Sequence, residues 1–382
     1  MTHEDSNMSD MIAARAHQGA TELRLERVPV PEPGAREVLI KVASAGIAPG
    51  MMKLLERGRF KHLPSTPGHE IAGVVVAAGR EADASLVGRR VRVHPMLSCG
   101  DCVYCRTDRQ QLCAETAMIG HAAFGIGKLE LYARYHDGGL AEYARAPDWL
   151  VDPLPDNVNF DVGAKVHDLA NAVRALKCAA IPEPGRLVIT AATGTMGTAS
   201  ILLARFYGAR RLVLVARSRE RLEALRPLAG DLPVDLVALD ELAPDWAESQ
   251  GLTRRLREVL PGGADAVLDY FPGGPGTMQA LRALALGGTL VHMGGNATPL
   301  ALTVAEAMQM CWKIIGTRAC TRSDTDAVLE LLASGRLNAD ALITHHFPLA
   351  EVNRALQVML DRSEPIWMAV VHPEGAASRR PR

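Results

Sequence analysis

Four of the seven cysteines in this 382-residue chain crowd one segment: Cys99, Cys102 and Cys105 at intervals of three, then Cys113 after a short loop. Four thiolates so close on a turn-rich stretch can surround one tetrahedral Zn²⁺ and leave no position for water, so the spacing predicts a structural zinc site rather than a catalytic one. The alternative is a set of unrelated or disulfide-bonded thiols. A reduced compartment and the scattered placement of Cys178, Cys311 and Cys320 weigh against it.

A second stretch has the form of a nucleotide cradle. Leu187-Val188-Ile189-Thr190-Ala191 is an apolar, β-branched run that stops at Ala192-Thr193-Gly194-Thr195-Met196-Gly197, after which Ala199 to Phe206 are apolar at helical spacing. Gly208 stands where a helix end favours positive φ, and Leu212-Val213-Leu214-Val215 reads as a second strand. The unit is strand, glycine turn, helix, strand. Such a turn aims helix N-terminal N–H groups at a pyrophosphate, which assigns Thr193, Gly194, Thr195, Met196 and Gly197 to a dinucleotide. Ala192 departs from the G-x-G-x-x-G pattern at its first position, and the βαβ setting is what supports the match. At the tip of the second strand NAD sites usually carry an acidic residue, whereas here stand Ala216, Arg217, Ser218 and Arg219, with Arg221 just beyond. Guanidiniums and a hydroxyl suit a 2′-phosphate, so Ala216, Arg217, Ser218 and Arg221 predict NADP(H) in preference to NAD(H). The competing reading makes these arginines the solvated first turn of a helix.

The elements that must hold these groups fall into two textures. Up to Pro155, short strands alternate with glycine and proline: Leu23–Glu26, Glu37–Val42, Ile71–Ala78 and Arg90–Val93, a β-rich domain. Strands near Val188, Val213, Val237, Val267, Val291 and Ile314 then alternate with helices, the signature of a parallel sheet covered on both faces. Beyond about residue 340 the first texture returns, with a strand at Leu342–Phe347, a helix at Leu349–Leu360 and an apolar run at Ile366–Val371. The segment from Lys128 to Asp137, with Tyr132, Tyr135 and His136, reads as a surface loop. His345 and His346 read as a half-exposed strand edge, and His121 as a candidate pocket residue.

Composition narrows the function classes. A formal charge of −1 and 4% aromatic residues give no surface for nucleic acid or anionic lipid. No apolar run approaches membrane-spanning length, and the polar start Met1–Asn7 lacks a signal-peptide core, so the expectation is a cytoplasmic protein acting on a small molecule. Both ends, including the basic tail Ala376–Arg382, read as loose.

Taken together, Gly68-His69-Glu70-Ile71-Ala72-Gly73, the C-x2-C-x2-C-x7-C run, Gly138-Gly139-Leu140-Ala141-Glu142-Tyr143, the nucleotide cradle and Thr344-His345-His346-Phe347-Pro348-Leu349 resemble the zinc-containing medium-chain dehydrogenase/reductase superfamily, the alcohol dehydrogenase relatives, over nearly the whole chain. The resemblance implies an α/β protein: a GroES-like β-rich catalytic domain from both ends of the chain, residues 1–158 and 340–382, and a Rossmann doubly wound parallel-sheet domain, residues 159–339. It implies an active site in the cleft between them and a homodimer or homotetramer.

The departures bear on the chemistry. Where the family has G-x-C-x-[ST]-D, with a zinc-binding thiolate and a proton-relay hydroxyl, this chain has Gly46-Ile47-Ala48-Pro49-Gly50-Met51. A methyl group binds no metal and glycine relays no proton. The third-ligand region falls at Val166-His167-Asp168, so the candidate catalytic residues are His69, Glu70, His167 and Asp168. Three readings stay open. Catalytic zinc is abandoned, as in the quinone-reductase branch; or His69, Glu70 and one of His167 or Asp168 still hold it; or His69 and Glu70 serve packing alone. The first implies reduction of an activated carbonyl, enone, quinone or imine, the second a zinc-dependent alcohol dehydrogenase. Outside catalysis, the alternative is a redox-inactive nucleotide-binding protein.

Overall fold

The computed structural model describes residues 10–48 and 50–374. The Met1–Asn7 start, Pro49 and the Ala376–Arg382 tail lie outside the described residues. The chain forms two compact units, Met1–His167 with Thr321–Arg382, and Asp168–Cys320.

The first unit is built on strand Glu37–Gly46, buried along most of its length and hydrogen-bonded antiparallel to Ile71–Ala78, Tyr143–Pro147 and Met368–His372. The sheet runs Ile343–Pro348, Met368–His372, Glu37–Gly46, Ile71–Ala78, Arg90–Val93, Val151–Pro153. Residues from both ends of the sequence fill one core: Val38, Ile40, Val75 and Val91 pack in the same cluster as Phe347, Leu356, Met359 and Val371. Asn353 ties the two ends polarly as well, accepting the Leu23 N–H and donating to its carbonyl, both at 2.9 Å. The C-terminal segment is therefore a structural part of the β-rich unit.

The stretch read as a surface loop is different in the structure. Leu129 turns with φ +57°, the Glu115 carboxylate accepts the N–H groups of Lys128 and Leu129, and a short helix, Glu130–Arg134, follows. Tyr132 and Tyr135 are buried rather than exposed. Tyr132 donates to the His121 carbonyl at 2.9 Å and Tyr135 to Glu37 at 2.8 Å. Burial would raise the Glu37 carboxyl, but the Gly34 N–H, the Tyr135 hydroxyl and the Arg145 and Arg134 guanidiniums outweigh it and hold it below the usual carboxylate range.

The second unit is a six-stranded parallel sheet in the order Val234–Ala238, Ala209–Ala216, Gly185–Ile189, Ala264–Asp269, Leu284–His292, Lys313–Gly316. Numbered within the unit this is 3-2-1-4-5-6, the dinucleotide-binding order, whose ligand crevice opens at the carboxyl ends of the strands where the order reverses. That switch lies between Gly185–Ile189 and Ala264–Asp269, beside the glycine turn.

Candidate functional site

The four clustered cysteines do converge. Sγ–Sγ separations are 3.5 Å for Cys99–Cys113, 3.6 Å for Cys102–Cys105 and 3.9 Å for Cys99–Cys105. A tetrahedral zinc with bonds of about 2.3 Å sets sulfurs roughly 3.8 Å apart, so these donors fit the ion with little adjustment. Backbone N–H groups of Cys99, Cys102 and Glu115 point at the sulfurs, the support a thiolate site needs. Cys99, Cys102, Cys105 and Cys113 would hold the ion.

The glycine turn lies at the end of strand Gly185–Ile189. Ala191 takes φ +44°, Ala192 donates to Val215, and Gly194, extended, caps helix Thr195–Leu203. A Cβ at Gly197 would come within 2.4 Å of the Ala192 carbonyl, so only glycine lets the helix seat this close to the turn. Thr193, Gly194 and Met196 are part-exposed there, where first-turn N–H groups lack helical partners and a pyrophosphate would find them. Ala216 ends the next strand, and Ser218 caps the following helix by accepting the Arg221 N–H. Arg219 is committed to Glu241 through two bonds of 2.9 and 2.6 Å. Arg217 is exposed, and its side chain has no ion pair among the described residues. Sequence reading missed one buried network at the sheet switch. Asp269, fully buried, accepts from Thr190, Thr277 and His292 at 2.6, 2.8 and 2.6 Å. Its only sequence signal is position, at the carboxyl ends of adjacent strands.

In the first unit, His69 is buried against two other imidazoles. Its ring lies 4.2 Å from His121 and 5.1 Å from His167, centroid to centroid, and the three residues are 5%, 5% and 2% exposed. The approach is made by backbone: Gly68 donates to Gly120 at 2.7 Å, and Gly139 donates to Gly68 at 2.7 Å, joining the residues just before His69 and His121. Burial, then the neighbouring His121, His167 and Lys165, drives the His69 imidazole well below its ordinary value, and burial lowers His121 to about 4. At neutral pH both are uncharged hydrogen-bonding groups. Asp168 is the next residue of the same helix and so is turned away from His167 by about 100°; it is buried in the second unit.

Glu70 is engaged by a residue that sequence reading passed over. Lys165 donates to Glu70 Oε2 at 2.5 Å, and both side chains are 1% exposed. A Cβ at Gly46 would fall 2.0 Å from that carboxylate oxygen and 2.9 Å from Lys165 Cδ, so the glycine makes room for the pair. The available signal was a lysine set among Val162, Gly163, Ala164 and Val166. Ala48 stands where the resemblance sets a thiolate and offers no donor atom, and the Glu70 carboxylate is engaged by the Lys165 ammonium.

Family models match in two blocks: an alcohol dehydrogenase GroES-like domain over residues 34–156 and a zinc-binding dehydrogenase domain over residues 195–334. The chain is 28% identical to sorbitol dehydrogenase of Bombyx mori, covering 92% of this chain and 96% of that one. It is 27% identical to L-idonate 5-dehydrogenase of Vitis vinifera, covering 91% and 90%. Among solved structures, the cobalt- and zinc-bound thermostable alcohol dehydrogenase of Pyrobaculum aerophilum superposes with a TM-score of 0.78 at 26% identity, covering 95% of this chain and 100% of that chain. The chain belongs to the zinc-containing medium-chain dehydrogenase/reductase superfamily, the alcohol dehydrogenase-like oxidoreductases, with a GroES-like β-rich domain and a Rossmann domain.

Proposed function

We propose that this chain is an NADP(H)-dependent reductase that passes hydride to an activated carbonyl, enone, quinone or imine without a catalytic zinc. The observation that carries the reading is the buried Lys165–Glu70 pair beside His69, in a pocket that has exchanged its thiolate for Ala48. Engaged by Lys165, Glu70 brings no uncompensated negative charge to draw a divalent ion, and the buried N–H donors around it favour charge developing on oxygen. When bound, the reduced nicotinamide supplies the hydride. His69, held neutral by burial, His167 and the Lys165 ammonium are the groups that steady the developing enolate or alkoxide and return a proton to it, while an iminium takes hydride to give the amine directly. Arg217, exposed and without an ion pair among the described residues, and Ser218 would meet the 2′-phosphate, and the Thr193–Gly197 turn the pyrophosphate.

The test is the dependence of bound zinc on particular residues. In the metal-free reading, protein purified from a zinc-replete culture loses zinc on Cys102→Ser and keeps its full content on His69→Ala. A second reading draws on one observation: the buried His121 Nδ1 has no hydrogen-bond partner among the described residues, so three imidazoles could hold a catalytic zinc of the kind the polyol dehydrogenases use. It requires His69→Ala to remove one equivalent. The homo-oligomer belongs to this proposal too. Strand Lys313–Gly316 is an outer strand of its sheet, and Val304, Met308 and Leu286, in the same unit, are 88%, 68% and 72% exposed. A second copy of the chain is the partner that would cover them.

A further inference from the structure

Asp161, His346 and His372 meet in the first unit, far in sequence from the four cysteines. Strands Ile343–Pro348 and Met368–His372 run parallel, with His346 opposite Val370. Side chains alternate along a strand, so His346, Val370 and His372 share one sheet face. Asp161, in the first turn of helix Phe160–Ala179, brings a carboxylate to that face. His372 Nε2 lies 2.9 Å from Asp161 Oδ1 and His346 Nδ1 lies 3.3 Å from Asp161 Oδ2. One donor atom from each residue falls within 4.8 Å of the others, and the two rings stand 5.4 Å apart at 35°.

We infer that Asp161, His346 and His372 form a second metal site, for a divalent ion of the zinc class, distinct from both the four-cysteine cluster and the His69 pocket. Two imidazoles and one carboxylate are the donors that zinc, nickel and copper(II) prefer. A tetrahedral zinc with bonds of about 2.0–2.1 Å places its ligands roughly 3.3 Å apart, so closing the set requires only small side-chain movement. His372 and Asp161 have side chains 5% and 12% exposed, and His346 has 44%, which leaves the ion an entry and a coordination position for water. The ligands come from a helix start and from the last two strands, so the ion would fasten the C-terminal strands to that helix.

The experiment uses the full chain, stripped with chelator and equilibrated against Zn²⁺ or Co²⁺, with bound metal counted and the unfolding temperature followed. His346→Ala is the informative variant, because its exposed side chain makes loss of the fold a poor explanation. The expected result is that wild type holds one more equivalent than His346→Ala, that Zn²⁺ raises its Tm more, and that the added Co²⁺ spectrum lacks thiolate charge-transfer bands. Asp161→Asn and His372→Ala should lose the same equivalent, while Cys102→Ser retains it. Equal metal content and equal Zn²⁺-induced Tm shifts in wild type and His346→Ala overturn the site and leave only a hydrogen-bonded staple. An extra equivalent retained in His346→Ala and lost in His69→Ala overturns it as well, by placing that ion among the other histidines.

Discussion

Lys165 and Glu70 form a buried ion pair, 2.5 Å from ammonium to carboxylate, with both side chains 1% exposed. A buried carboxylate without a partner is expensive, and here Lys165 supplies one. Lys165→Met should therefore cost about 3–5 kcal/mol, while Lys165→Met with Glu70→Gln should recover most of that loss, because no uncompensated charge stays buried. Urea denaturation of the two single variants and the double variant checks it; additive losses would show that the two groups do not act as a pair. Arg217 gives a second prediction at this scale. Removing a charge-assisted contact worth about 1.5–3 kcal/mol should raise KM for NADPH by roughly 10- to 100-fold in Arg217→Ala and leave KM for NADH nearly unchanged. Equal use of both cofactors by the unaltered chain would remove the assignment. Glu70, His69 and His167 were legible in the sequence because a short motif and an ungapped placement flagged them. His121 was flagged only as a candidate pocket residue, because nothing local says that Gly68 bonds Gly120, and Lys165 was not flagged at all, because nothing local says that one helical lysine turns inward.

The elements follow from patterning wherever the pattern is strong. Strand Ile71–Ala78 has the bounds its apolar run predicts, and Gly208 takes φ +88° at the helix end, as expected. The helix Glu130–Arg134 escaped notice because its start is set by long-range bonds from Glu115, not by a capping residue. Its anchor is Tyr135 on Glu37, which also fixes the first residue of the central strand. Since the folded-state Glu37 carboxyl is held below its unfolded value of 4.5, its contribution is present above that pH and is lost as pH falls through the lower folded value. Glu37→Gln should accordingly destabilise the protein by about 1–3 kcal/mol at pH 7 and by less at pH 4. Urea midpoints at the two pH values test this, and an equal loss at both would contradict it. The Asp161–His346–His372 meeting was invisible in sequence, since helix start and strand register must both be known before the three residues share a face.

At the scale of the molecule, the two units carry separate duties: the second presents a nucleotide turn at a topological switch, and the first presents buried imidazoles, a lysine and a cysteine cluster. Both textures were readable because a parallel sheet and a glycine-punctuated β-rich unit pattern their residues differently. The outer strand with exposed Ile314 should be where copies meet. Sedimentation of Ile314→Lys should show a shift toward monomer relative to wild type, and an unchanged mass would move the interface elsewhere. Hydride transfer without a catalytic zinc, as proposed, is open to a deuterium test. NADPH deuterated at the transferring carbon is incubated with the protein and a panel of enones, quinones, imines and simple ketones, and the products are weighed by mass spectrometry. Deuterium is expected in one or more of the conjugated or iminium substrates, with transfer unchanged by a chelator that leaves the cysteine-bound zinc in place. Deuterium confined to simple ketones and abolished by that chelator, or absent from every product, would contradict it.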